Sequence, residues 1–273
     1  MVRSTSPVNA WVRHSQGGAA MVEGERREAM AGLAKGLAIL ECFGEGTARL
    51  TLVEAAKRTG LSRPAARRCL LTLLDLGYVA HDGRHFTPQP RMLRLGYAFL
   101  SATPLPRLAQ PVLESVQAAA GEAVSLAILD GAETVFVARS APHRMVSVGP
   151  GVGSRLPAWC SATGRVLLAG LPDEAVAARL EGVEFRPLTP RTAVTPEAAR
   201  AGVLGAREAG HALCDEELEL GLLSLAVPVR DVSGAVVAAM SISTQPSRRS
   251  AAEAVRDLLP LLSEGARRLS ARL

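Results

Sequence analysis

The 273-residue chain has little of what metal sites, disulfide frameworks and membrane spans are built from. Its four cysteines, Cys42, Cys69, Cys160 and Cys214, stand far apart, with no C-x-x-C pair and no histidine at metal-ligand spacing. They read as reduced, mostly buried apolar residues, so no metal and no cofactor is expected. The five histidines, His14, His81, His85, His143 and His211, show no triad-like setting, which argues against nucleophilic catalysis. No apolar run reaches the roughly 18 residues of a membrane span. The first residues have no apolar stretch followed by a cleavage site, so a globular, cytoplasmic protein is expected.

What is present is an apolar fraction of 48%, ample for a packed core, and a formal charge of +5 that is unevenly placed. Residues 32–97 hold 10 Lys and Arg against 5 Asp and Glu, whereas residues 98–273 hold 17 against 18. A basic segment joined to a near-neutral one points to a polyanion partner for the first alone.

Residues 1–31 mix Ser, Gly, Arg and Glu without periodicity and read as a disordered tail. From Gly32, Leu33, Leu37, Leu40 and Phe43 recur at helical spacing until Gly44 and Gly46. Thr51 then caps a short helix ended by Gly60, and Ser62 caps a second with Pro64 in its first turn. Two helices joined by a short glycine turn form a helix-turn-helix. Strands over 78–81 and 84–87, joined tightly by Asp82-Gly83, make a wing. The expected organisation is a winged helix-turn-helix over 32–90, a linker helix over 91–103, which Pro104 and Pro106 do not continue, and a second domain over 104–273.

In that second domain, helices are expected over 111–120, 161–171 and 196–209, with a last one from Ala251. Strands are expected over 123–129, 134–138, 145–148, 222–230 and 235–243. Hairpin-joined strands interleaved with helices give an α+β fold on an antiparallel sheet.

A recognition helix offers its first residues to base edges in the major groove. Here these are Ser62, Arg63, Pro64, Ala65, Arg67 and Arg68. Arg63 and Arg67 are four apart and share a face, while Arg68 can also pair with Asp75 or Glu54. Thr51 and Ser62 can serve phosphate at the two helix starts, and Arg84 and His85 of the wing can reach the minor groove or the backbone. The competing reading is a solvated face of arginines. It is disfavoured by the coincidence of caps, glycine turn and hairpin in one short stretch.

The segments GLAKGLAILECF, LRLGYAFLS, VGSRLPAWCSATGRVLLAGLP, PLTPRTAVTPEA and DEELELGLLSLAVPVRD carry a further observation. Over residues 32–273 the sequence strongly resembles the IclR family of bacterial regulators, in particular the branch controlling protocatechuate and 4-hydroxybenzoate catabolism in the β-ketoadipate pathway. The resemblance implies no catalysis, a double-stranded operator as partner and a dimerising linker helix. It also implies a C-terminal GAF-like effector domain and a dimer or dimer of dimers; RNA polymerase is a further candidate partner. The effector pocket it implies is formed by the loop with Met145 and Val148, the helix start from Cys160 through Ser161, Ala162 and Thr163 to Gly164, the strand region with Cys214, Asp215, Leu222 and Ser224, and the pair Ser241 and Ser243.

The residues themselves fit a small aromatic carboxylate. The helix start at 161–164 has backbone N–H groups to offer an anion. Ser241 and Ser243 alternate on a strand and face one side, while Trp159 and Met145 can supply surface for a ring. One departure is Cys214, where some members of the family carry Asp, so the identity of the acid does not carry over. A different small acid is one alternative. An enzyme acting through Cys160 or Ser161, and a DNA-binding protein without a ligand, are the others.

Overall fold

The computed structural model describes residues 30–44, 46–142 and 151–273. The expected tail and the expected strand over 145–148, with Met145 and Val148, lie outside the described residues. The chain divides into two compact units between Ala102 and Thr103.

In the first unit, α1 (Ala31–Leu40), α2 (Leu52–Thr59) and α3 (Arg63–Asp75) enclose a small core of Ile39, Leu40, Ala55, Ala66, Leu70 and Leu73. Each fully buried leucine or isoleucine contributes about 2 kcal/mol through removal of apolar surface from water. Val79 and Phe86 join this core from β1 (Val79–His81) and β2 (Phe86–Pro88), an antiparallel pair. Leu50 adds two backbone hydrogen bonds to Phe86, of 2.9 and 2.7 Å, which tie the wing to the stretch before α2. A 3-10 turn (Pro90–Met92) leads into α4 (Leu93–Ala102), which buries none of its residues within this unit.

The wing departs from its expected form. Four residues, 82–85, connect the strands instead of two, because the Asp82 carboxylate accepts the backbone N–H groups of Arg84 (2.8 Å) and His85 (2.7 Å). Arg84 therefore sits in the turn and not on a strand.

In the second unit, the strands β3 (Ala123–Asp130), β4 (Glu133–Ser140), β5 (Arg155–Pro157), β6 (Ala212–Asp215), β7 (Leu223–Arg230) and β8 (Val236–Thr244) form one antiparallel sheet in the order β5-β4-β3-β8-β7-β6. The long helices α5 (Pro104–Ala120) and α9 (Ala251–Ser270) pack together and on the strands. So do α6 (Ala162–Ala169) and α8 (Pro196–Ala209), with the short α7 (Asp173–Leu180) following α6. The expected helix over 111–120 begins seven residues earlier. Pro104 and Pro106 start this helix, since a proline in the first turn lacks only an N–H that would have no acceptor there.

Candidate DNA-reading face and ligand cavity

The DNA-reading candidates rest on two capped helices. Thr51 forms a capping box: its hydroxyl accepts the Glu54 N–H (3.3 Å), while its own N–H donates to the Glu54 carboxylate (2.8 Å). Such a cap is worth about 1 kcal/mol. Gly60 closes α2 at φ +68°, a left-handed conformation that a glycine adopts without a side-chain clash. Ser62 then accepts the Ala65 N–H (3.4 Å) and starts α3 with Pro64 in its first turn.

This start leaves Ser62, Arg63, Pro64 and Arg67 exposed, and among the described residues Arg63, Arg67 and Arg68 enter no ion pair. Their charge is therefore available to an external anion. Arg68 lies apart from the other two, on the flank of α3 that borders a groove against α1. The suggested pairing of Arg68 with Asp75 or Glu54 is not formed among the described residues, and Glu54 is instead engaged by the Thr51 cap. Arg84 is exposed at the wing tip. His85 is half-buried with Nδ1 3.5 Å from Asp82, so its ring is turned back onto the wing. Asp82 is held down to about 2 by the His85 and Arg84 amides that it accepts.

In the second unit, one end of the sheet and the start of α6 meet around a small, partly open cavity. Ser161 caps α6, accepting the Gly164 N–H (3.1 Å) and donating to the Pro157 carbonyl (2.7 Å). The amides of Ala162 and Thr163 lie in the first turn, where N–H groups lack intrahelical acceptors. Across from them are Ser241 and Ser243 of β8 and Ser224 of β7. The register pairs Ser224 with Ser243, and their hydroxyl oxygens are 3.4 Å apart. Among the described residues, Phe136, Leu156, Leu218 and Leu222 add apolar surface to the wall. The space within is about 20 Å³, which is room for about one water.

The cavity thus unites seven of the residues singled out from sequence, Ser161, Ala162, Thr163, Leu222, Ser224, Ser241 and Ser243, and adds Phe136, Leu156 and Leu218. Others are placed elsewhere. Trp159 and Cys160 turn into a second cluster with Ala199, where Trp159 meets Phe185 edge-on at 5.2 Å. Asp215 faces outward and pairs with Arg191 (2.7 Å). Gly164 serves a close approach of two backbones, since a Cβ there would lie 2.2 Å from the Ala158 carbonyl oxygen.

Cys214 lies beneath a feature that sequence reasoning missed. Arg165 of α6 is buried, yet its guanidinium binds the Glu217 carboxylate through both terminal nitrogens (2.6 Å each). It also donates to the Trp159 carbonyl (3.3 Å) and to the Cys214 sulfur (3.4 Å). Burial opposes its charge, but Cys214 and Glu217 outweigh that, and its pKa is raised. Gly202 of α8 makes room, since a Cβ there would lie 2.6 Å from the Arg165 Nε. The hint in the sequence was a lone arginine in the otherwise apolar helix ATGRVLLA. Its partner is 52 residues away and carries no signal of its own.

Burial pushes the Cys160 thiol up to about 12, which favours the thiol over the nucleophilic thiolate at neutral pH. The Ser161 hydroxyl is committed as a helix cap. These settings disfavour the enzyme alternative.

A winged helix-turn-helix with free arginines at its recognition helix, on the same chain as an α+β domain with a hydroxyl-lined cavity, defines a DNA-binding regulator of the one-component kind. Residues 32–83 match the IclR helix-turn-helix domain and residues 97–271 match the domain described as bacterial transcriptional regulator IclR C-terminal. The chain belongs to the IclR family of bacterial transcriptional regulators. It is 41% identical over 241 residues to the Pca regulon regulatory protein of Pseudomonas putida, covering 88% of this chain and 83% of that protein. It is 40% identical over 246 residues to the p-hydroxybenzoate hydroxylase transcriptional activator of Acinetobacter baylyi, covering 88% and 90%. Among solved structures, an IclR homolog from Microbacterium hydrocarbonoxydans complexed with 4-hydroxybenzoate superposes with a TM-score of 0.71 at 26% identity, covering 88% of this chain and 98% of that one.

Proposed function

We propose that this regulator binds its operator through Arg63 and Arg67 of α3 and through Arg84 of the wing, and that a small aromatic carboxylate in the hydroxyl-lined cavity alters that binding. The observation that carries the reading is the cavity itself. Three serine hydroxyls and the first turn of α6 face apolar Phe136, Leu156, Leu218 and Leu222, a lining matched to a ring bearing a carboxylate and a hydroxyl. The names of the relatives, and the 4-hydroxybenzoate in the Microbacterium structure, support an aromatic acid as the class.

Regulation requires the ligand to favour one of two arrangements of the protein. The working form in this reading is a homodimer or a dimer of dimers. The apolar side chains of α1 and α4 that stay exposed in the first unit, Leu33, Leu37, Leu93, Leu95 and Tyr97, supply a surface for it.

The test is a gel shift with DNA from upstream of the regulator's own gene and of the genes adjacent to it, titrated with 4-hydroxybenzoate and protocatechuate at several salt concentrations. A salt-sensitive shift that changes with one of these acids is expected. A shift, and a melting temperature, indifferent to every aromatic acid would remove the ligand assignment while leaving DNA binding intact.

A further inference from the structure

We propose that Arg165 and Glu217 are positioning residues that hold residues 216–222 as a lid over the hydroxyl-lined cavity, so that a ligand enters and leaves only when this segment opens. The inference rests on the ligand reading above. At about 20 Å³ the cavity holds a water, not a ring. One wall must therefore move.

The walls differ in what fixes them. Ser224, Ser241 and Ser243 belong to paired strands, and Ser161 to Thr163 to the start of α6, which is fixed by the Ser161 cap and by the Arg165 N–H that donates to the Ser161 carbonyl (2.9 Å). Leu218 and Leu222 belong to the connection between β6 and β7, whose attachments come largely from side chains. Arg165 grips Glu217 through two bonds of 2.6 Å. The Thr189 hydroxyl donates to the Glu216 carbonyl and the Thr192 hydroxyl to the Glu217 carbonyl, each at 2.6 Å. The Gly221 N–H donates to the Glu216 carboxylate at 2.7 Å, closing the segment on itself.

Left-handed backbone marks both ends of the segment. Glu216 is the non-glycine residue with positive φ among the described residues, at +58°, and Gly221 stands at +82°. Between them Leu218 is shared by the cavity and the Trp159–Phe185 cluster, so opening would uncover both. Arg165 lies one turn beyond Ser161 on α6. The helix that offers its first turn to the ligand is also the helix that holds the lid shut.

The experiment compares the full-length protein with Thr192→Val and with Gly202→Ala. The first removes the Thr192 clamp on the Glu217 carbonyl, along with the acceptor of the Leu188 and Thr189 N–H groups, and leaves the ion pair. The second keeps both charges and presses on the guanidinium. Hydrogen exchange is followed by mass spectrometry without ligand, and binding of 4-hydroxybenzoate by stopped flow.

Both variants are expected to speed exchange of residues 216–222 by roughly threefold to tenfold, with β7 and β8 unchanged. Association and dissociation of 4-hydroxybenzoate should then both quicken, and Kd should move less than either rate. Exchange of the segment that stays at the wild-type rate, or that rises only together with the sheet, would overturn the lid. If the wild-type protein binds no aromatic acid, the ligand reading fails, and the exchange measurement still decides whether the segment opens on its own.

Discussion

Arg63 and Arg165 each stand in the first turns of a serine-capped helix, and they are put to opposite use. Arg63 is exposed and enters no ion pair among the described residues, whereas Arg165 is buried against two carboxylate oxygens, a carbonyl and a sulfur. The exposed arginine has no intramolecular task, so its charge is available to phosphate or to a guanine edge. The buried one has little charge to spare, since each of its three nitrogens donates to a group of the same unit. The same residue type is thus left open to an external partner in one unit and serves as an internal fastening in the other.

The sharpest test removes a fastening. Glu217→Gln strips the counter-charge from a buried guanidinium, and breaking such a pair costs about 3–5 kcal/mol. Urea unfolding should show the transition of the C-terminal unit moved down by that amount, with the winged-helix transition unmoved. A loss below 1 kcal/mol would mean that water reaches Arg165 and that the contrast with Arg63 is false. Gly164→Ala is expected next, at about 3 kcal/mol, because the new methyl group meets the Ala158 backbone, which cannot rotate away as a side chain can. The same unfolding measurement reads it.

Sequence alone reached further in the first unit than in the second, for a physical reason. Thr51, Gly60, Ser62 and Pro64 act within a few residues of themselves, and caps and turns are local events, so α2 and α3 were legible almost to the residue. So was α8, bounded by Thr195, Pro196 and Gly210. The short edge strands β5 and β6, of 3 and 4 residues, offer too little pattern to stand out and exist because their neighbours pair with them. The helix α7 was missed for want of a clear periodicity. Around the cavity, Ser241 and Ser243 were visible through strand alternation and the α6 start through its cap, while Ser224 came from the family resemblance. Phe136, Leu218 and the Arg165–Glu217 pair were not, since long-range packing decides them.

On the DNA-reading side the expected losses are in binding. Arg63→Ala should reduce operator affinity by about 1–3 kcal/mol and relax base preference, while Arg84→Ala should weaken binding evenly across sequences and lower the salt slope by about one. Fluorescence anisotropy with an operator and a scrambled duplex, at several salt concentrations, separates the two. Both variants should unfold like wild type, within about 0.5 kcal/mol, as befits exposed side chains with no partner to lose. If Arg63→Ala is destabilising instead, its charge is used internally and the comparison with Arg165 collapses.

The smallest effect belongs to Asp82, an exposed charge that nonetheless fastens something. Its carboxylate accepts two backbone N–H groups of the wing turn, which holds its pKa near 2 against an ordinary value of 3.8. A carboxylate with a lowered pKa stabilises the folded state fully above its unfolded value and loses that contribution as pH falls through its folded value. Asp82→Asn retains an acceptor but not the charge. The melting temperature of the winged-helix unit should therefore differ between the two proteins above about pH 4, and the gap should close as pH approaches 2. Added salt should narrow the gap as well, because solvent screens an exposed interaction, whereas the loss caused by Glu217→Gln should persist in salt. A gap indifferent to both pH and salt would show that the wing turn depends on the shape of the acceptor and not on its charge.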